Sequence, residues 1–181
     1  HVTLRLADGL PTLRDGRVYA ALRACFTAAN ERAEATSRAR IVHYAVLRNH
    51  VHLLVEAKDR LALARGIQGL ATRLARAINR VATRRGDVFG DRYHARILKT
   101  PREVRNTLAY VLNNARHHGL ARARRDWIDP YSSGGTFDGW RVRVRPPSFE
   151  IPVARARTWL LAKGWRRHGL IDPAAVPGAP P

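Results

Sequence analysis

The chain has one cysteine, no methionine and only three lysines, Lys58, Lys99 and Lys163. Cys25 alone cannot close an internal disulfide, which excludes a cystine-stapled scaffold and fits a reducing cytosol. No apolar run approaches the roughly 18 residues that cross a bilayer as a helix, which excludes a membrane-spanning helix. No charged-then-apolar leader opens the chain, but it begins at His1 without a methionine, so residues upstream are expected. Acid is scarce as well. Against 33 basic residues stand only 14 aspartates and glutamates, for a net charge of +19.

What is there follows from that imbalance. Of the 33 basic residues 30 are arginine. A GC-rich coding bias explains arginine over lysine and the alanine-rich helices, but not the excess of base over acid. That excess points to a polyanionic partner. A membrane surface fits less well, because Trp and Phe are not interleaved with the basic face of any helix.

A length of 181 residues suits one domain with a small appendage. Residues 1–6, HVTLRL, alternate as a strand, and ADGLPTLRDG is a loop. An alanine-rich helix is predicted from about Arg17 to Glu34, then strands over 40–47 and 50–56 with a turn at Asn49. Residues 61–83 form a long amphipathic helix with Leu63, Ile67, Leu70, Leu74, Ile78 and Val81 on one face. Its opposite face carries Arg65, Arg73, Arg76, Arg80 and Arg84 without lacing acids, which reads either as a solvated stripe or as a phosphate contact. Residues 85–100 read as a turn and a fourth strand. Thr100, Pro101 and Glu103 then start a helix that Gly119 ends. The order is that of an α+β, ferredoxin-like split βαβ: an antiparallel sheet with helices on one face. Residues 1–120 are the expected domain, and 121–181 a basic C-terminal extension with a short helix near 153–163 and a proline-rich tail.

Within the third strand, RNHVHLLVE sets His50 and His52 on one face, with Leu54 and Glu56 beyond them. That spacing suits two ligands of one divalent metal, although a lone pair of histidines is weak evidence. On the last helix, Tyr110 and Asn114 lie one turn apart, beside the stripe of Val104, Leu108, Val111 and Ala115. A tyrosine there reads as surface or as chemistry. Glu56 reads as a strand-end surface group or a spare ligand, and His43 as a packed residue. His94 sits beside Tyr93, an alternative nucleophile. His117 and His118 lie favourably against the helix C-terminus and in reach of phosphate.

The segments YAVLRNHVHLLVE, AYVLNNARHHGL and DWIDPYSSG, in that order, resemble the single-tyrosine HUH transposases, most of all the REP-associated tyrosine transposases of bacteria. The likeness is clear over about residues 40–135. The prolines of that pattern are replaced by Arg48 and Ala115. The resemblance implies that His50, His52 and Asn114 bind Mg2+ or Mn2+ and that Tyr110 attacks single-stranded DNA, giving a 5′-phosphotyrosine and a free 3′-hydroxyl. A 3′-hydroxyl then rejoins the strand, so the implied enzyme is an endonuclease and strand transferase of hairpin-bearing DNA in the bacterial cytoplasm, associated with the nucleoid. An ordinary phenol titrates near 10 and is only about 0.1% phenolate at pH 7, so such a nucleophile needs a cation at the phosphate. Two other functions fit the same residues: a domesticated, non-cleaving nucleic-acid-binding protein, and a nuclease in which water replaces the tyrosine. Relatives of this kind work as homodimers or as monomers, and the role of Trp140, Trp159 and Trp165 is packing or base stacking.

Charge of this size predicts DNA binding that falls steeply with salt and favours single strands or hairpins over duplex. Each phosphate neutralised adds about 0.7–0.9 to the log–log slope. Replacing Arg73, Arg76 and Arg80 with alanine is expected to lower that slope in a fluorescence-anisotropy titration, and an unchanged slope would place the DNA elsewhere.

Overall fold

The alternation of the first strand sets the architecture. In HVTLRL the even positions, Val2, Leu4 and Leu6, are buried, while Thr3 and Arg5 face the other way. A computed structural model describes residues 1–36, 39–120, 124–145 and 148–176. It contains β1 (Val2–Arg5), α1 (Gly16–Thr36), β2 (Arg40–Val46), β3 (His50–Glu56), α2 (Arg60–Val81), β4 (His94–Ala95), α3 (Pro101–Leu112), α4 (Asn114–His117) and α5 (Trp159–Ala162). Short 3-10 helices cover Ser133–Thr136 and Gly164–His168. The four strands form one antiparallel sheet in the order β2-β3-β1-β4. This is the split βαβ arrangement, with β1 and β3 at the centre.

Local chemistry starts the three long helices. The Asp15 carboxylate accepts from the backbone N–H groups of Arg17 and Val18 at 2.9 and 3.1 Å, opening α1. Asp59 caps α2 through Ala62 N at 2.7 Å. Thr100 and Glu103 form the reciprocal capping box of α3, with Pro101 at its first turn. The helix does not run unbroken to Gly119 as its pattern predicts. It pauses at Asn113, whose amide donates to the Asp172 carbonyl at 3.0 Å, and resumes as α4. Gly119, at φ +65°, closes the segment in the left-handed region.

Helices α1 and α2, the two crossovers, pack together on one face of the sheet. Leu22 and Phe26 of α1 and Ile67, Leu70, Leu74 and Ile78 of α2 enclose Leu4, Tyr44, Val51 and Leu53. Helix α3 lies on the opposite face, where Val104, Leu108 and Val111 meet Ala45 and Leu54. The segment beyond residue 124 completes both cores. Trp140, Trp165, Phe137 and Ile171 pack under α3, and Ile151 enters the α1–α2 side. Packing is therefore the role of Trp140 and Trp165, whereas Trp159 stays 48% exposed beneath the Arg167 guanidinium. The expected helix near 153–163 is shorter and later, Trp159–Ala162, because backbone groups before it are bonded to the sheet: Ala154 N donates to the Ile41 carbonyl and Arg157 N to the Glu56 carboxylate. The fourth strand is only two residues long, since Gly86, Asp87, Gly90 and Asp91 turn the chain before it. The junction at 121–123 and the proline-rich tail from 177 lie outside the described residues.

Two carboxylates tie this segment down. Asp129, 3% exposed, takes a two-pronged ion pair from Arg14 at 2.7 and 2.8 Å. Glu56 is neither a surface group nor a spare ligand, as the sequence suggested. It is buried, pairs with Arg40 at 2.8 Å, and accepts from the backbone of Arg157 and from Thr158 N and Oγ1 at 2.8 and 2.6 Å. Burial alone would raise its pKa, but the hydrogen bonds from Thr158, Arg157 and Arg40 outweigh it and hold the carboxyl below the usual glutamate range. With the folded pKa depressed, this contribution is full above the unfolded value and is lost as pH falls through the folded one. Denaturant unfolding is expected to show this loss below about pH 4.3, the ordinary glutamate value, and Glu56→Gln should remove that component. Glu56→Ala should cost about 3–5 kcal/mol, the usual penalty for breaking a buried pair.

Candidate active site

Period-two geometry turns His50, His52, Leu54 and Glu56 of β3 toward α3, and Val51, Leu53 and Val55 toward α1 and α2. Across the β1–β3 ladder, Thr3 stands opposite His52 and Arg5 opposite His50. The two β3 imidazoles meet edge to face with centroids 4.8 Å apart. Helix α3 lowers Tyr110 onto them: its ring lies 5.3 Å from that of His52. The rings of His118 and His117 complete the surround, 5.5 Å from His50 and 6.2 Å from Tyr110 respectively. Asn114, four residues after Tyr110 and four before His118, is carried between these two ring contacts and is fully buried.

The site is built for neutral imidazoles. Burial, then the His118 and Arg5 charges, pushes His50 down to about 4. Burial, then His50 and His118, pushes His52 down to about 3. Both rings therefore keep a free lone pair at pH 7, the form that ligates metals. His50 Nδ1 lies 2.9 Å from Asn49 Oδ1, and His52 Nδ1 lies 3.1 Å from both Thr3 Oγ1 and His1 Nε2. By contrast, His52 Nε2 and both amide atoms of Asn114 are buried without a hydrogen-bond partner among the described residues. Native proteins rarely leave such atoms unsatisfied, so they mark a place for a ligand. No group of three His, Cys, Asp or Glu side chains among the described residues could hold a metal. An ion here would need the Asn114 amide oxygen beside two imidazoles, with the remaining positions filled by phosphate and water, a mixed nitrogen and oxygen donor set for a divalent cation.

The structure brings together His50, His52, Tyr110, Asn114, His117 and His118. It does not bring the α2 arginines to them, because α2 packs on the opposite face of the sheet. Arg65, Arg76 and Arg80 are exposed there, and Arg65, Arg73 and Arg76 line a shallow groove with Arg32 of α1. Arg84 instead donates to Asn79 Oδ1 and the Asp87 carbonyl, at 2.9 and 3.2 Å. Tyr93 packs against the α1–α2 core, away from the histidines. His43 is packed as expected, on Phe137 and 3.2 Å from Ser133 Oγ. Sequence reasoning missed His1, Thr3 and Asn49. The first two were within reach: a split βαβ places β1 beside β3, and HVT alternates, so His1 and Thr3 had to share the histidine face.

No helix among the described residues is long and apolar enough to cross a membrane. A comparison with curated proteins returned no match. Among solved structures, that of a REP-associated tyrosine transposase bound to a REP hairpin is similar, with a TM-score of 0.56 and 17% identity over 73% of each chain. That likeness establishes the fold. A family model described as "Transposase IS200 like" matches residues 12–114, more than half of the chain and a span that includes the paired histidines, the tyrosine and the buried asparagine, so this protein belongs to the IS200-like transposases.

Proposed function

We propose that the chain is a metal-dependent endonuclease and strand transferase that cleaves and rejoins single-stranded, hairpin-bearing DNA through a 5′-phosphotyrosine. The observation that carries this reading is the Tyr110 ring set 5.3 Å from that of His52, whose buried Nε2 has no partner among the described residues. His50, His52 and Asn114 are the residues that would hold Mg2+ or Mn2+, and the ion would polarise the scissile phosphate and stabilise charge there, worth several kcal/mol. Tyr110 Oη attacks the phosphorus. The bond from phosphorus to the 3′ oxygen breaks, the phenol proton ends on that oxygen, and a tyrosine phosphodiester replaces the nucleotide one. Bond types are conserved, so attack by a 3′-hydroxyl reverses the step and no nucleotide is consumed.

His117 and His118 stand where flanking phosphates would approach. The α2 arginines Arg65, Arg73, Arg76 and Arg80 would serve phosphates farther along the DNA, since the sheet lies between them and Tyr110. Domesticated relatives that bind without cleaving are the competing reading, and covalent capture separates the two.

Calorimetry with Mn2+ is expected to show binding weakened by roughly 10-fold or more in His50→Ala and in His52→Ala, with cleavage lost in both. Wild type that cleaves equally well in excess chelator would defeat the metal assignment.

Tyr110→Phe keeps the ring and its packing but removes the atom that forms the link. It should fold, bind Mn2+ and bind single-stranded DNA while giving no adduct that survives denaturation. Wild type should give an adduct mapping to the Tyr110 peptide, and Tyr93→Phe should keep it. Adduct formation by Tyr110→Phe at the wild-type rate would defeat the proposal.

A further inference from the structure

A neutral imidazole carries one N–H and one lone pair, and the partner of one nitrogen decides the state of the other. His50 Nδ1 lies 2.9 Å from Asn49 Oδ1, an atom that can only accept. A proton on Nδ1 satisfies that oxygen and leaves the lone pair on His50 Nε2, whereas a proton on Nε2 would set two acceptors against each other. For His52 the logic runs from both ends of the ring. Its Nε2 is buried with no partner among the described residues, so a proton there would be a donor without an acceptor. Its Nδ1 has acceptors available in Thr3 Oγ1 and His1 Nε2, each at 3.1 Å. Thr3 is delivered by the backbone itself, as the cross-strand neighbour of His52 in the β1–β3 ladder. Its β-branched side chain has few rotamers, so the hydroxyl stays where the register puts it.

We infer that Asn49 and Thr3 are positioning residues that hold His50 and His52 in the Nδ1–H tautomer, so that both rings present a bare Nε2 to one divalent ion. This rests on the reading that the two histidines hold a metal. Neither residue touches the ion or the reacting phosphate. Their contribution is to remove the tautomer that cannot ligate through Nε2 and to fix the ring angles. Asn49, which precedes the first histidine of the motif, thereby acquires a role that a turn residue alone would not have.

Long-range 1H–15N correlation spectra of the metal-free protein read the tautomer of each ring directly. Wild type should show Nδ1–H at both His50 and His52 above pH 7. Asn49→Leu should shift His50 toward Nε2–H, and Asn49→Asp, which retains an acceptor oxygen, should not. Thr3→Val, made alone and with His1→Phe to remove the second acceptor, should shift His52, whereas Thr3→Ser should keep it. Mn2+ affinity, measured by calorimetry without DNA, should fall about 10–100-fold in Asn49→Leu and in the double variant, the usual scale for such partners. It should stay near wild type in Asn49→Asp and Thr3→Ser. Wild type that binds Mn2+ with either histidine in the Nε2–H form overturns the positioning role alone. So do Asn49→Leu and the double variant if both bind Mn2+ like wild type. Wild type that binds no Mn2+ overturns the metal reading and this role with it, whichever tautomer is seen.

Discussion

A strand covered on both faces must send every second side chain into a different core. β3 is under that constraint: Val51, Leu53 and Val55 feed the α1–α2 side, and His50, His52, Leu54 and Glu56 the α3 side. A slip of one residue would drive two imidazoles and a carboxylate into the aliphatic core and bring three apolar side chains to the site. The register is held by the tight hairpin with β2, where Leu47 N donates to the His50 carbonyl at 2.9 Å, and by the β1 ladder. Placement of the histidines is thus a by-product of burying their neighbours. Their low basicity follows from the same burial, since a covered imidazole resists a charge.

The α3 side of the sheet carries a heavy polar load for a packed interior. Most of it is discharged by the chain's last third. Glu56 is met by Arg40, Arg157 and Thr158, Asn113 by the Asp172 carbonyl, and His43 by Ser133. Among the described residues of this face, His52 Nε2 and the Asn114 amide stay undischarged, and the His52 ring is the one that meets Tyr110. Glu56, Asn113 and His43 on this face have partners, so the exceptions gain meaning.

Legibility in the sequence followed range. The β3 alternation and the α3 capping box are local patterns, and both stand in the structure where their residues place them. The pairing of His50 with His52 needed only period two. Tyr110 and Asn114 needed the family resemblance, because a tyrosine flanking a helix stripe reads equally well as surface. Features set by distant partners stayed hidden. The Glu56 clamp depends on Arg157 and Thr158, a hundred residues away in the chain. The pause at Asn113 depends on Asp172, far along the chain. The α2 arginines were found on one stripe, but which side of the sheet they occupy is a matter of topology.

The outer margin of β2 has a consequence for assembly. A strand at the rim of a sheet offers unpaired backbone groups to any passing strand. Here Ile41 exchanges bonds with the Asn30 side chain and accepts from Ala154 N, Tyr44 is held by Ser133 Oγ, and Val46 by Tyr131 and Arg14. At the far rim β4 offers two residues, too few for a stable ladder. The sheet is thereby closed to growth along β2, whether by aggregation or by strand exchange. A second copy of the chain would have to associate through side chains, not by lengthening the sheet there.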